Sequence, residues 1–261
     1  MRNIANKEIV ARTEIDMSDK KNIQLLMEEI NDLKTKGNIE IEKLRNYLSV
    51  ASLNPNYIDS CGLTPLIRAV QSENKAIVET MLSCLRMDVN MADHNGYTPL
   101  IWAADQGAVH IVKLLLGRRD IKVNLKDKDG YTALMWAADM GHYKVVRKLM
   151  MHDDLDVNIQ DADGQTALIW AADKGHVDIV KMLLGVKNIG INIQSSEGFT
   201  ALICAAGQGH KEIVEDLMEN ENIDVTHKDK HGFTALIAAV NSGNYDIFNS
   251  LKNHIYPLQR A

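Results

Sequence analysis

Histidine and aspartate each recur at a fixed spacing of 34 residues, and these side chains are the first candidates for chemistry. The histidines are His142, His176 and His210. The aspartates are Asp105, Asp139 and Asp173. Converging histidines could form a metal site, and two carboxylates roughly 5 to 9.5 Å apart could supply the acid and base of a glycosidase. Both activities require that the fold bring the members of a set together. Whether these residues can form such a site therefore depends on the elements that carry them.

The spacing of 34 residues runs through most of the chain and divides it into six similar repeats. Glycine stands at Gly62, Gly96, Gly130, Gly164, Gly198 and Gly232, and threonine at Thr64, Thr98, Thr132, Thr166, Thr200 and Thr234. Leucine stands at Leu66, Leu100, Leu134, Leu168, Leu202 and Leu236, and alanine at Ala69, Ala103, Ala137, Ala171, Ala205 and Ala239. Because four columns hold one register through every repeat, the chain has the sequence signature of a repeat array.

Each repeat has the pattern of a tight turn followed by two short helices. In the second repeat, Asn95-Gly96 supplies residues that tolerate positive φ in a turn. Thr98 is placed to cap a helix that begins at Pro99, and Gly107 is placed to end that helix. A more apolar second helix follows, with Val109, Ile111, Val112, Leu114 and Leu115. The pattern predicts an all-α fold of helix-turn-helix repeats.

The repeats resemble the ankyrin repeat, whose characteristic heptapeptide is matched by residues 98–104 (Thr-Pro-Leu-Ile-Trp-Ala-Ala) and 166–172 (Thr-Ala-Leu-Ile-Trp-Ala-Ala). The resemblance covers residues 59–261 and implies an ankyrin-repeat solenoid with short β-hairpin or turn loops. The expected repeats are residues 59–92, 93–126, 127–160, 161–194, 195–228 and 229–261.

The chain departs from the ankyrin pattern in two ways. Its period is 34 residues where the family's is about 33, and the histidine that the family places after the leucine is absent. Isoleucine or methionine stands there instead, at Ile67, Ile101, Met135, Ile169, Ile203 and Ile237. In the family that histidine helps to hydrogen-bond adjacent repeats, so we expect apolar packing to take over part of its role.

The first 58 residues lack the repeat signature but have helical periodicity. We expect residues 1–16 to be a flexible tail and residues 17–58 a helical capping repeat, with one helix from Ser18 to Gly37 and another beginning near Ile39. A solenoid needs such a cap to shield its terminal face. The alternative is a separate helical appendage that docks a partner. The sixth repeat is more polar than the middle ones, so we expect it to close the other end.

The repeat pattern argues against catalysis. In the resembling family the histidine column is structural, and the three aspartates stand one repeat apart on parallel helices, too far for a carboxylate pair. No glycine-rich phosphate loop follows a buried strand. Cys61, Cys84 and Cys204 form no C-x-x-C pair, which indicates reduced thiols. We therefore expect no enzymatic activity, no cofactor and no bound metal.

Charge and hydropathy limit the partners. Lys+Arg 29 against Asp+Glu 35 give a formal charge of −6, the opposite of what binding to phosphates favours, so we expect no nucleic-acid partner. No run approaches the roughly 18 apolar residues of a membrane span, and the N-terminus lacks the apolar block of a secretory signal. We expect a cytoplasmic monomer that is not inserted in a membrane.

The aromatic residues are only 5% of the chain and concentrate in two columns. Beside the hairpin glycine of the second to sixth repeats stand Tyr97, Tyr131, Gln165, Phe199 and Phe233, of which only the fourth-repeat residue is not aromatic. On the first helices stand Trp102, Trp136 and Trp170, each followed three residues later on the same helix side by Asp105, Asp139 or Asp173. In the resembling fold these columns line the concave face, so they are the predicted partner-binding surface. The alternative for the tryptophans is packing between repeats.

The sequence therefore predicts a non-catalytic scaffold that binds a partner protein or peptide along an aromatic and acidic face. The aspartates favour a partner with a basic segment. Replacing Trp136 and Tyr131 with alanine is expected to weaken binding by at least ~2 kcal/mol and to leave the fold intact. The alternative is a regulatory or inhibitory effector whose activity lies in residues 1–58, with the repeats used for targeting. Stand-alone ankyrin arrays resemble those that intracellular bacteria deliver into host cells, which would place the protein in the host cytoplasm.

Overall fold

The computed structural model describes residues 41–49 and 54–256, and the regular secondary structure among them is entirely α-helical. The tail expected at residues 1–16 and the helix expected from Ser18 to Gly37 lie outside the described residues.

One helix, α1 (Ile41–Ser49), precedes the repeats, and each repeat then contributes a pair of helices. The first helices are α2 (Pro65–Gln71), α4 (Pro99–Asp105), α6 (Ala133–Asp139), α8 (Ala167–Lys174), α10 (Ala201–Gln208) and α12 (Ala235–Asn241). The second helices are α3 (Lys75–Leu82), α5 (Val109–Leu116), α7 (Tyr143–Leu149), α9 (Val177–Leu184), α11 (Lys211–Met218) and α13 (Tyr245–Ile255). The predicted helix-turn-helix pattern is confirmed in every repeat.

A threonine caps the first helix of each repeat. Thr98 Oγ1 accepts a hydrogen bond from the Ile101 amide at 3.2 Å, and Pro99 is the first helical residue. The equivalent caps are Thr64, Thr132, Thr166, Thr200 and Thr234. Each hydroxyl satisfies one of the amides that have no partner within the helix. Gly107 follows α4 with φ +68°, the left-handed conformation that turns the chain into the second helix.

The core between neighbouring repeats consists of small and apolar residues of the first helices. The column in which isoleucine or methionine replaces the family's histidine is at most 3% exposed at Ile67, Ile101, Met135, Ile169 and Ile203. The expected apolar packing at this column is confirmed for the first five repeats. Close approach of the helices is possible because alanine pairs such as Ala137 and Ala138 are fully buried beside it.

Two other columns contribute hydrogen bonds between repeats. His176 Nε2 lies 2.9 Å from the Asp139 carbonyl oxygen, and because a carbonyl only accepts, the ring N–H donates. In the loops, Asn158 donates Nδ2–H to the Asn188 carbonyl at 2.8 Å and accepts the Gly190 amide at 2.7 Å. The same pair of bonds recurs at Asn90, Asn124 and Asn192. These hydrogen bonds therefore help to join adjacent repeats, the role that the histidine has in the ankyrin pattern.

The chain forms two compact units. Of the described residues, those up to 103 and 110–122 form the N-terminal unit, and those from 104–109 and 123–256 form the C-terminal unit. In the N-terminal unit, α1 packs against α3 and buries Leu44 and Leu48, and Arg86 donates to the Leu48 carbonyl at 3.1 Å. These contacts join the expected capping segment, residues 17–58, to the first repeat, and the capping role of that segment stays a prediction.

In the C-terminal unit the first helices of successive repeats pack side by side, α6 on α8, α8 on α10 and α10 on α12. The last repeat leaves apolar positions uncovered. Ile237 and Val240 are 37% and 42% exposed, whereas Ile203 and Ala206, one repeat earlier, are 3% and 0% exposed. The expectation that the sixth repeat closes the array with a polar surface is therefore wrong for this side of α12.

Candidate functional site

Each tryptophan of the predicted surface is held by a buried aspartate of its own repeat. In the third repeat, Asp127 Oδ1 accepts the amides of Asp129 at 3.0 Å and Tyr131 at 2.8 Å, which closes the hairpin. Asp127 Oδ2 accepts Trp136 Nε1–H at 2.8 Å. The equivalent pairs are Asp161 with Trp170 at 2.9 Å and Asp93 with Trp102 at 3.0 Å. The indoles therefore have fixed orientations and a structural role.

The aromatic rings pack on one another within each compact unit. In the C-terminal unit, the Tyr131 ring centroid lies 4.9 Å from that of Trp136 and 5.3 Å from that of Trp170, in the next repeat. In the N-terminal unit, Tyr97 lies 5.2 Å from Trp102. All of these rings are half-buried, so each keeps an accessible edge. That the fold stays intact when Trp136 and Tyr131 are replaced remains a prediction, and the contact of Tyr131 with Trp170 joins neighbouring repeats.

The acidic column is partly neutralised within the chain. Lys174 Nζ lies 3.2 Å from Asp173 Oδ2 and 3.8 Å from Asp139 Oδ1, and Gln208 donates to Asp173 Oδ1 at 2.9 Å. The same ammonium lies 5.4 Å from the ring centroid of Trp170, a cation–π distance. These contacts reduce the field that Asp139 and Asp173 offer to a basic partner.

Asp105 differs from the other two because burial raises its pKa. The nearby charge of Asp139 also raises that pKa, whereas His142 lowers it. A carboxyl whose folded-state pKa lies above its unfolded value destabilises the fold at neutral pH, and that effect disappears as the pH falls through the raised pKa. The ionised form of Asp105 therefore costs stability at pH 7.

We expect Asp105→Asn to raise the Tm by a few degrees at pH 7, because the amide carries no charge to desolvate. At pH 3, below the ordinary carboxyl value of 3.8, the two proteins should melt together, since Asp105 is then protonated in both states. Thermal unfolding followed by circular dichroism at both pH values measures this. Asp153→Asn, at an exposed loop position, is the control and should change neither curve. A lower Tm for Asp105→Asn at pH 7 would show that Asp105 stabilises the fold.

The histidine column has the structural role that the resemblance implied. His142, His176 and His210 each donate Nε2–H to the carbonyl of the aspartate one repeat earlier, at 2.8, 2.9 and 3.0 Å. The three rings therefore lie one repeat apart, and Nε2 of each ring is already engaged in a hydrogen bond. Within residues 41–49 and 54–256, no group of three His, Cys, Asp or Glu side chains is placed to hold a metal ion.

A cavity of about 670 Å³ lies in the C-terminal unit, between the hairpins and first helices of the last three repeats. Five residues of the predicted surface line it: Gln165, Trp170, Asp173, Phe199 and Phe233. The two phenylalanines are 36% and 41% exposed, which makes them the most accessible rings of that surface. Tyr131, Trp136, Asp139 and Asp105 belong to the same unit but not to the lining, and Tyr97 and Trp102 belong to the N-terminal unit.

The cavity exists because the tryptophan column ends. In the fifth and sixth repeats Cys204 and Ala238 stand where the second to fourth repeats carry tryptophan, and both line the cavity together with Ile203 and Asp229. Sequence reasoning missed these four residues, although the loss of tryptophan from the column was the signal. Burial raises the pKa of the Cys204 thiol to about 12, so at neutral pH this residue is a neutral, apolar part of the wall and not a nucleophile.

Comparisons with known proteins bear on the fold. The family model described as "Ankyrin repeats (3 copies)" matches residues 36–127, 119–195 and 186–260. Among solved structures, the crystal structure of EF0377, an ankyrin repeat protein, is 32% identical, with a TM-score of 0.67 over 71% of this chain and 95% of that chain. No curated protein matches. None of the helices in the described ranges is long and apolar enough to cross a membrane.

Proposed function

The chain belongs to the ankyrin-repeat family, and we propose that it is a non-catalytic module that binds a partner protein through the hairpin face of its C-terminal unit. We define the hairpin face as Tyr131, Trp136, Asp139, Gln165, Trp170, Asp173, Phe199 and Phe233. Ankyrin repeats are generally protein–protein interaction modules. We also propose that the protein acts as a monomer in the cytoplasm.

The observation that carries this proposal is the pair of exposed rings at the cavity. Phe199 and Phe233 line a preformed cavity of about 670 Å³, within the range of roughly 300 to 1,000 Å³ that is usual for ligand sites. The walls of the cavity are first helices that pack on one another, so the protein needs little ordering when a partner binds. Aromatic anchors at the centre of an interface supply a large share of the binding energy.

The partner that fits this face carries a basic segment. Asp173 and Asp229 line the cavity, and the whole chain has a formal charge of −6. Complementary charge raises the association rate and selects among partners more than it raises affinity. Because Lys174 already offsets part of the acidic column, we assign the affinity to the rings and the selectivity to the carboxylates.

Affinity capture tests this proposal with three immobilised proteins: the parent, Phe199→Ala/Phe233→Ala, and Tyr143→Ala/Tyr245→Ala. The last is the matched control, because Tyr143 and Tyr245 are 38% and 65% exposed on second helices, away from the hairpin face. We expect a partner that the parent and the control retain and that the phenylalanine variant loses. The loss should be about 2 kcal/mol or more, or roughly 30-fold in Kd.

The phenylalanine variant should remain folded, since both side chains are more than one third exposed, and circular dichroism checks this. A folded phenylalanine variant that retains every partner of the parent would contradict the assignment of binding to the hairpin face.

A further inference from the structure

The aspartate that closes each hairpin follows a rule within this chain. Its Oδ2 accepts a hydrogen bond from the side chain nine residues later. In the first repeat Asp59 Oδ2 accepts from Arg68 Nε at 2.6 Å, and the two residues also form an ion pair. In the next three repeats the donor is the indole N–H of Trp102, Trp136 or Trp170. The chain thus uses two donors for one carboxylate position, a guanidinium and an indole.

The fifth repeat changes both members of the pair. Cys204 replaces the donor, and Ser195 replaces the aspartate. Ser195 Oγ still accepts the Phe199 amide at 3.1 Å, so the hairpin is closed without a second carboxylate oxygen that would need a donor. The aspartate and its donor are therefore lost together.

The sixth repeat breaks the rule. Ala238 has no donor, yet Asp229 is retained. Asp229 Oδ1 accepts the amides of His231 and Phe233, both at 2.8 Å, but Oδ2 accepts no hydrogen bond from any side chain or amide in the described part of the protein. Asp229 is 8% exposed and lines the cavity. Oδ2 is not closed off from solvent, so it is an acceptor without a protein donor that a ligand in the cavity can reach.

We propose that this cavity binds the guanidinium group of an arginine carried by the partner, with Asp229 Oδ2 as the acceptor and Phe199 and Phe233 beside it. The inference rests on the proposed function and names the group that the hairpin face recognises. The partner's arginine would donate a hydrogen bond to Asp229 and pair with its charge, as Arg68 does with Asp59 within the chain. It would occupy the space that Ala238 leaves open.

Charge and shape favour arginine over tryptophan as the occupant. An indole N–H would satisfy Oδ2 but would leave the charge of Asp229 without a counter-ion, since Asp229 forms no ion pair with any described residue. A guanidinium neutralises that charge, and its planar face packs on aromatic rings. The phenylalanine rings and the apolar side chain of Ile203 supply the walls for its aliphatic stem.

Titration of the full chain with short blocked peptides tests the occupant. The probes are acetyl-Gly-Arg-Gly-amide and its counterparts with citrulline, lysine or tryptophan at the centre, followed by amide NMR shifts at low salt. We expect the arginine peptide to shift the amides of His231 and Phe233, which bond to Asp229, and to bind about tenfold more tightly than the citrulline peptide. Equal binding of the citrulline peptide, or tighter binding of the lysine or tryptophan peptide, would overturn the assignment of arginine.

Two variants locate the acceptor. Asp229→Asn keeps an oxygen for the two hairpin amides but turns Oδ2 into a donor, so the arginine peptide should bind about tenfold more weakly. Ala238→Trp fills the cavity from within and gives Asp229 the donor it has in the second to fourth repeats, so it should abolish peptide binding and raise the Tm. Asp246→Asn, an exposed acid of the same repeat, is the control and should bind as the parent does.

Unchanged peptide binding in both variants would refute the site. The partner-capture experiment separates this inference from the proposed function. If Ala238→Trp retains the partner that Phe199→Ala/Phe233→Ala loses, the arginine site is wrong and the hairpin face still binds. If the parent retains no partner that the phenylalanine variant loses, the proposed function fails whatever the peptide does.

Discussion

Replacing Ile203 with alanine is expected to lower the free energy of unfolding by about 2 to 5 kcal/mol. The side chain is 3% exposed in α10, which packs between α8 and α12, so its removal leaves a cavity that rigid helices on both sides cannot fill. Urea unfolding followed by circular dichroism measures the change.

The matched control lies in the same column one repeat later. Ile237 is 37% exposed because no further helix pair covers α12 within the described residues, so Ile237→Ala should cost less than about 1 kcal/mol. Equal losses at the two positions would mean that Ile237 is covered in solution, and the description of α12 as an open face would then be wrong.

The second large effect is expected at Gly175, where alanine should destabilise the fold by about 2 to 4 kcal/mol. Two causes add at this position. Gly175 has φ +77°, which side chains rarely adopt, and a Cβ atom there would lie 2.6 Å from Cε1 of His210. The His210 ring would have to move, and its 3.0 Å hydrogen bond to the Asp173 carbonyl would be lost.

Gly243→Ala separates the two causes, because Gly243 has a similar φ of +74° but nothing within 4 Å of a built Cβ. It should cost only the backbone term, about 1 kcal/mol. The difference between the two variants, read from urea unfolding, measures the packing of histidine against glycine. If Gly175→Ala is no worse than Gly243→Ala, the packing of the histidine column against these glycines does not hold the repeats rigidly.

Much of the fold could be predicted from the sequence because the repeat fixes local structure many times over. The threonine, proline and glycine columns mark helix starts and ends by local chemistry, and Thr98, Pro99 and Gly107 act as predicted. Ankyrin resemblance then supplied the stacking of the pairs. Residues 1–40 carry no such repetition and lie outside the described residues.

The candidate site was only partly predictable, because its chemistry depends on pairs of residues in three dimensions. The spacing of nine residues between Asp127 and Trp136 is visible in the sequence, but the bond from the indole to the carboxylate depends on how the hairpin folds over the helix. For the same reason the sequence did not reveal that Lys174 neutralises part of the acidic column. The cavity arises where two small residues, Cys204 and Ala238, replace tryptophan, and this change is visible in the sequence but does not show that the surrounding walls leave the space open.

The polar composition of the sixth repeat led to a wrong prediction for the exposed side of α12. The sixth repeat contains polar residues such as Asn241 and Asn249, which suggested a closing cap. Its stacking positions nevertheless keep Ile237 and Val240, because the repeat pattern that packs the middle of the array continues to its last member. An average over the repeat does not report which side of the helix the apolar residues occupy.

Hydroxyl-radical footprinting of the protein with a captured partner tests the location of binding most directly. The hairpin face should be covered in the complex, so oxidation of Phe199, Phe233 and the accessible edge of Trp170 should fall relative to the free protein. Oxidation of Tyr143 and Tyr245, exposed on second helices, should not change. Protection of those two tyrosines with undiminished oxidation of both phenylalanines would place the partner elsewhere and contradict the proposed binding surface.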